Sequence, residues 1–189
     1  MVGGSRVAVL VEGHSDRAAV LTVAARLGRD LDAAGVAVVP MGGATNIGHF
    51  ASVLGPRGLG LRLAGLCDEH EDGDFRHGLT MAGLDCDDVG SGLERLGFFV
   101  CVADLEDELI RALGVAATED VIASQGESRR LETFRKQPAQ QGRPADAQLR
   151  RFMGTRSGAK ERYASALASA LDPARLPPPL AGLLAGLAL

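Results

Sequence analysis

Lysine is nearly absent from this chain, standing only at Lys136 and Lys160, while arginine supplies the rest of the 20 basic residues. A lysine here is informative. Cysteine is sparse as well: Cys67, Cys86 and Cys101 form an odd set without a Cys-x-x-Cys spacing, and two of them lie in apolar strand-like runs. That pattern reads as buried free thiols in a reducing compartment and argues against disulfides and a structural zinc. Long apolar runs are missing too, since segments such as Arg6 to Val11, flanked by Glu12, fall far short of the ~20 residues needed to cross a bilayer. The N-terminus lacks signal-peptide architecture, so the expectation is a cytoplasmic protein without a membrane partner. Nor is there a surplus of positive charge. With 24 acidic residues the net charge is −4, and any nucleic-acid binding must be local.

What is present is the mix of a globular protein. Of 189 residues, 46% are hydrophobic and 23% charged, which excludes a disordered or coiled-coil chain, and the length favours one domain with an appendage. Four apolar, β-branched-leaning runs recur at Arg6 to Val11, Val36 to Val39, Leu61 to Cys67 and Phe98 to Ala103. Each is followed by a helical or Gly-rich stretch, so the expected fold is α/β with a parallel sheet covered on both faces. Ser15 to Leu31 carries a helical stripe, with Ser15 or Asp16 as its start signal. Met41 to Asn46 reads as a turn, Ile47 to Leu54 as a short helix, Glu69 to Asp74 as an acidic loop and Val89 to Leu96 as a helix. Asp104 to Leu113 resumes helical spacing before Gly114. Beyond it, Gln125 to Ala147 is polar and reads as a helical, partly mobile appendage; Gly158 to Leu171 is amphipathic, and a small apolar helix starts at Leu180. The expected division is a core at 1–115 and a helical extension at 116–189. No internal repeat is evident.

In open parallel sheets the functional crevice lies at the carboxyl ends of the strands. Glu12, Asp68 and Asp104 directly follow three of the four runs, and the second ends in Pro40 and Gly42-Gly43, where backbone can approach a ligand or a neighbouring element closely. Like charges gathered at one edge repel and raise one another's pKa, and a hard divalent cation removes that cost. Asp16, four residues after Glu12, points back to the same crevice; His70 and Glu71 lie just beyond Asp68, and Glu106 just beyond Asp104. Acids after strands also cap helices, an alternative that Asp16 and Asp104 each leave open. Asp72, Asp74, Asp85, Asp87 and Asp88 read as solvated loop acids, and His14, His49 and His77 as surface or hydrogen-bonding residues.

These motifs carry a resemblance. Val11-Glu12-Gly13-His14-Ser15-Asp16 resembles the glutamate motif of TOPRIM domains, in the Glu-Gly-x-Ser-Asp form of the overcoming-lysogenization-defect (OLD) nucleases. Pro40-Met41-Gly42-Gly43 is similar to that family's glycine turn, Asp68-Glu69-His70-Glu71 occupies the place of its Asp-x-Asp motif, and Asp104-Leu105-Glu106 resembles its later acidic motif. The match covers about residues 5 to 115, in the correct order. It implies a Rossmann-like TOPRIM domain, a parallel β-sheet flanked by helices, with a C-terminal helical appendage. It also implies Mg²⁺- or Mn²⁺-dependent chemistry on phosphodiesters, with two metals and an assisting lysine C-terminal to the core. Arg156 to Ala164 looks like the helix bearing that lysine, which makes Lys160 the candidate.

The expected activity is therefore a metal-dependent DNA endonuclease. One ion would be held by Glu12, Asp16 and the Asp68 region, where His70 or Glu71 stands for the second acid of the motif, and another by Asp104 and Glu106; Glu12 and Lys160 are the catalytic candidates. Contacts to the DNA backbone would come from Arg129, Arg130, Arg135, Lys136, Arg143, Arg150, Arg151 and Arg156. Two features depart from the family's pattern. His70 replaces an aspartate, and the Gly-x-x-x-x-Gly-Lys-Ser/Thr loop of the ATPase half of full-length OLD proteins does not occur, so the ATPase is either missing or a partner in trans. A strand-passing enzyme would need a nucleophilic tyrosine, and the single Tyr163 lies on the lysine helix. The alternative from another class is a regulatory or nucleic-acid-binding TOPRIM module with a degenerate site. No pattern in the sequence sets the oligomeric state.

Overall fold

The computed structural model describes residues 4–85, 92–156 and 158–187. Cys86, Asp87, Asp88 and Ser157 lie outside the described residues, as does the first part of the helix expected at Val89 to Leu96. Among the described residues the four apolar runs become β1 (Val7–Val11), β2 (Val36–Pro40), β3 (Arg62–Asp68) and β4 (Phe98–Cys101), all parallel in the order β2-β1-β3-β4. β1 is central and wholly buried. It pairs Val9 with Val38 on one side and with Ala64 on the other.

The period of two along each strand sends alternate side chains to opposite faces, and two separate cores result. Val7, Val9 and Val11 of β1, with Ala64 and Leu66 of β3, join one core, whereas Ala8, Leu10, Leu63 and Cys67 join the other. The smaller core is covered by α2 (Ile47–Leu54) and α3 (Asp72–Met81). Gly65 permits its packing, because a Cβ there would lie 2.3 Å from the Leu10 carbonyl oxygen and 2.8 Å from the Phe98 ring. The larger core is covered by α1 (His14–Arg26) and, after the short α4 (Gly92–Arg95), by α5 (Leu105–Leu113), α6 (Val115–Ser124), α7 (Ser128–Arg135), α8 (Ala145–Met153), α9 (Ala159–Ala170) and α10 (Pro178–Gly186).

Two expectations need correction. Glu69 to Asp74 is not a loop: a 3₁₀ turn at Glu69–Glu71 leads straight into α3. Its acids sit in a first helical turn, where they complement the helix dipole, and Asp72 pairs with Arg76 one turn on. The fourth strand stops at Cys101, so Asp104 lies three residues beyond it and caps α5. The polar stretch Gln125 to Ala147 is largely helical, as expected, and buries Leu131 and Phe134 in the larger core. Downstream, Tyr163, Ala164, Leu167 and Ala168 of α9 belong to that core as well. Arg26 of α1 donates to the carbonyls of Ala168 and Leu171 at the far end of α9. No helix among the described residues is long and apolar enough to cross a membrane.

Candidate metal centre

The carboxyl ends of β1 and β3 are neighbours because the two strands pair in parallel, and each ends in an acid. Glu12 follows β1 directly. Its carbonyl accepts from the backbone N–H groups of Gly42 (2.9 Å) and Gly43 (3.2 Å), so the turn after β2 clamps the chain at Glu12. Both glycines have positive φ, 74° and 128°, and the Asn46 amide donates to the Met41 carbonyl at 3.0 Å to hold the turn. The glycine pair thus serves a neighbouring strand, one of its two expected uses.

Asp68 ends β3 and directly precedes the 3₁₀ turn that carries Glu69, His70 and Glu71. Side chains three residues apart eclipse in a 3₁₀ turn, which puts Glu71 on the same side as Asp68 and rotates His70 away. Ligand atoms of Glu12, Asp68 and Glu71 all lie within 4.8 Å of one another. His70 is exposed. Oε2 of Glu71 is buried without a hydrogen-bond partner.

Asp16, Glu106 and Asp104 form the continuation of this edge. The Asp16 carboxylate accepts from Gly13 N at 2.8 Å, which fixes the first turn of α1, and so the capping alternative describes part of its role. Asp104 accepts from Asp107 N at 2.8 Å as the cap of α5. Its other oxygen, Oδ2, receives Nε of Arg150 at 2.8 Å and also the Arg150 Nη2. Glu106 is buried, and its Oε1 has no hydrogen-bond partner and lies 3.7 Å from the Lys160 ammonium. Lys160 stands at the start of α9 with its side chain 59% exposed.

The electrostatics follow from this crowding. Burial, with the charges of Asp104, Glu12, Glu71 and Asp16, pushes Asp68 up to about 8. Asp16 is raised to about 7 by burial and by Glu106, Glu12 and Asp104, against the lowering bond from Gly13. Glu71 is raised by burial and by Glu12 and Asp74; Glu106 is raised by burial, partly offset by Lys160. Such acids fit a hard divalent cation. Oxygens around one ion with ~2.1 Å bonds lie up to about 4.2 Å apart, so three carboxylates within 4.8 Å need only side-chain adjustment to share it.

Of the residues singled out in the sequence, the structure groups Glu12, Asp68 and Glu71, sets Asp16, Glu106 and Asp104 beside them, and leaves His70 outside. His14, His49 and His77 are exposed. Sequence reasoning missed Arg150 as the counter-ion of Asp104. Nor is the basic stretch uniformly open to a ligand. Arg135 pairs with Glu119, and Arg130 lies over the Phe152 ring and pairs with Glu127. Glu127 is a hub in its own right: it also receives the Arg162 guanidinium at 2.8 Å and the buried Tyr163 hydroxyl at 2.7 Å, with Arg156 at 3.7 Å. Burial opposes its ionisation, yet the bonds from Arg162, Tyr163 and Arg130 prevail and hold it down at about 2.

Residues 5–69 match the family model described as "Overcoming lysogenization defect protein-like, TOPRIM domain". A solved structure of the C-terminal region of the Xanthomonas campestris pv. campestris OLD protein is 27% identical over 97% of this chain and 94% of its own, with a TM-score of 0.71. A second structure of that region gives 25% identity over 97% and 92% of the two chains, with a TM-score of 0.72. The C-terminal region of the Burkholderia pseudomallei OLD protein shares the fold, with a TM-score of 0.70, at 22% identity and 97% coverage of both chains. No curated protein matches the chain.

Proposed function

We propose, for a chain that carries an OLD-like TOPRIM domain within an α/β fold, the function of a Mg²⁺- or Mn²⁺-dependent endonuclease hydrolysing DNA phosphodiester bonds. The observation that carries the reading is the meeting of Glu12, Asp68 and Glu71 within 4.8 Å, with an unpartnered buried oxygen on Glu71. A divalent cation held by these three would supply charge neutralisation and Lewis-acid polarisation of a phosphoryl oxygen. Glu12 and Asp68 end rigid, paired strands and so fix the position of the group, while Asp16, Asp104 and Glu106 would hold a second ion. Asp104 is the ligand with a rival, because Arg150 already occupies one of its oxygens. Lys160, exposed and facing Glu106, would set positive charge against the phosphate as negative charge develops there. An ATPase partner in trans completes the reading.

The deciding experiment is incubation of supercoiled plasmid with the protein in Mg²⁺, in Mn²⁺ and in EDTA. Nicking or linearisation of the closed circle in metal, and none in EDTA, is the expected outcome; a closed circle offers no ends to an exonuclease. Intact plasmid in both metals, under conditions where the protein binds Mn²⁺, would overturn the proposal in favour of a regulatory or binding module.

A further inference from the structure

Beside the carboxylates a pocket of about 330 Å³ opens between the first turn of α5 and the α8–α9 segment. Asp104 and Glu106 line it together with Arg143, Arg150, Arg151 and Lys160. Four cations thus face two acids, a surplus that matches one phosphate group. Along α8, Ala147, Arg150, Arg151 and Gly154 recur at helical spacing and share a face, so two guanidinium groups stand between two small residues that leave the recess open. Arg151 has no ion-pair partner among the described residues. Arg150 presents two donors, Nε and Nη2, to one oxygen of Asp104. A guanidinium fork that holds a carboxylate holds a phosphate by the same donors. The volume is at the small end of ligand-holding clefts, which suits a single phosphate better than a base pair.

We infer that this pocket, which adjoins the Glu12–Asp68–Glu71 group through Asp104 and Glu106, is a phosphate subsite in which Arg150 and Arg151 grip one phosphate of a nucleic-acid strand. Arg150 is shared between two anions: it neutralises Asp104 while the pocket is empty and turns to the phosphate when one arrives. The nucleic-acid source of that phosphate rests on the nuclease reading; the phosphate chemistry does not.

The test uses the full chain in EDTA, titrated with inorganic phosphate and with a single-stranded octathymidylate by calorimetry. Both should bind, the oligonucleotide should displace phosphate, and R150A/R151A should weaken both by about tenfold or more. R150K, which keeps the charge and loses the fork, should fall between. Arg57→Ala, which removes an arginine outside the pocket, should leave phosphate affinity unchanged. In a separate titration, Arg150→Ala should tighten Mn²⁺ binding about threefold, because Asp104 loses its competing counter-ion. Equal phosphate affinity in wild type and R150A/R151A would overturn the subsite. Phosphate binding without displacement by the oligonucleotide would overturn its nucleic-acid source. Phosphate binding that depends on both arginines, in a protein that leaves plasmid intact, keeps the subsite and removes the nuclease reading.

Discussion

Single residues divide the labour of the crevice more sharply than the motif spacing implies. Glu71→Ala removes the acid with an unpartnered buried oxygen and should lower plasmid cleavage about 100-fold or more, whereas exposed His70→Ala should stay within about twofold in either metal. Parallel rate measurements in Mg²⁺ and Mn²⁺ check this; a severe loss in His70→Ala would return the histidine to the ligand set. The raised carboxyls also predict a pH dependence. Asp68 and Asp16 titrate near 8 and 7 in the folded chain against 3.8 unfolded, so between about pH 4 and 8 the native state binds more protons than the unfolded one. Metal-free stability from these groups should therefore fall as pH rises through that window, and Mn²⁺ should restore it most at the alkaline end. Thermal unfolding at pH 5.5, 7 and 8.5, with and without the ion, reads both effects, and a metal-free midpoint that rises toward pH 8.5 would contradict the assignment.

At the level of elements, the turn after β2 acts on a strand it does not belong to. Gly43 holds φ 128°, ψ 147°, a region essentially closed to residues with a Cβ, so Gly43→Ala should cost about 1–3 kcal/mol and loosen the clamp on Glu12. Urea denaturation measures the first effect, and a cleavage loss larger than that of a control variant of equal stability reveals the second. Elements were also where the sequence was most and least legible. The four strands were readable because their apolar runs are short, β-branched and bounded, and α2 because Gly55 and Pro56 stop it. α3 was hidden, since Asp72 and Asp74 look like loop acids until a helix terminus gives them something to complement. The choice of Glu71 over His70 depends on a 3₁₀ turn that no periodicity announces. Nor could spacing reveal the Arg150–Asp104 pair, whose partners are 46 residues apart.

For the molecule as a whole, residues 116–189 contribute to the core that covers one face of the sheet. Leu149, Phe152, Tyr163, Leu167, Leu180 and Leu183 are buried together with Val9 and Val11. Their apolar spacing was present in the sequence, but the arginines and glutamines between them dominated the texture. We predict that a chain ended after Gly114 loses cooperative unfolding and binds a hydrophobic dye, since the faces of α1 and α5 under α9 and the strands under α10 would meet water. Calorimetry of the truncated chain decides; a sharp transition near that of the full chain would mark residues 1–114 as a self-sufficient unit.

Glu127 lies outside the crevice, yet it governs the azimuth of the helix that carries Lys160. Tyr163 and Arg162 are both bonded to it, and they follow Lys160 by less than one turn, so the hub works as a peg that stops α9 from rolling on its axis. On a helix whose side chains reach about 5–6 Å from that axis, a roll of about 20° would carry the lysine tip about 2 Å. Because Glu127 stays ionised down to about pH 2, the peg does not slip anywhere in the range where the crevice acids change charge. The aim of the lysine is thereby insulated from the proton traffic it faces.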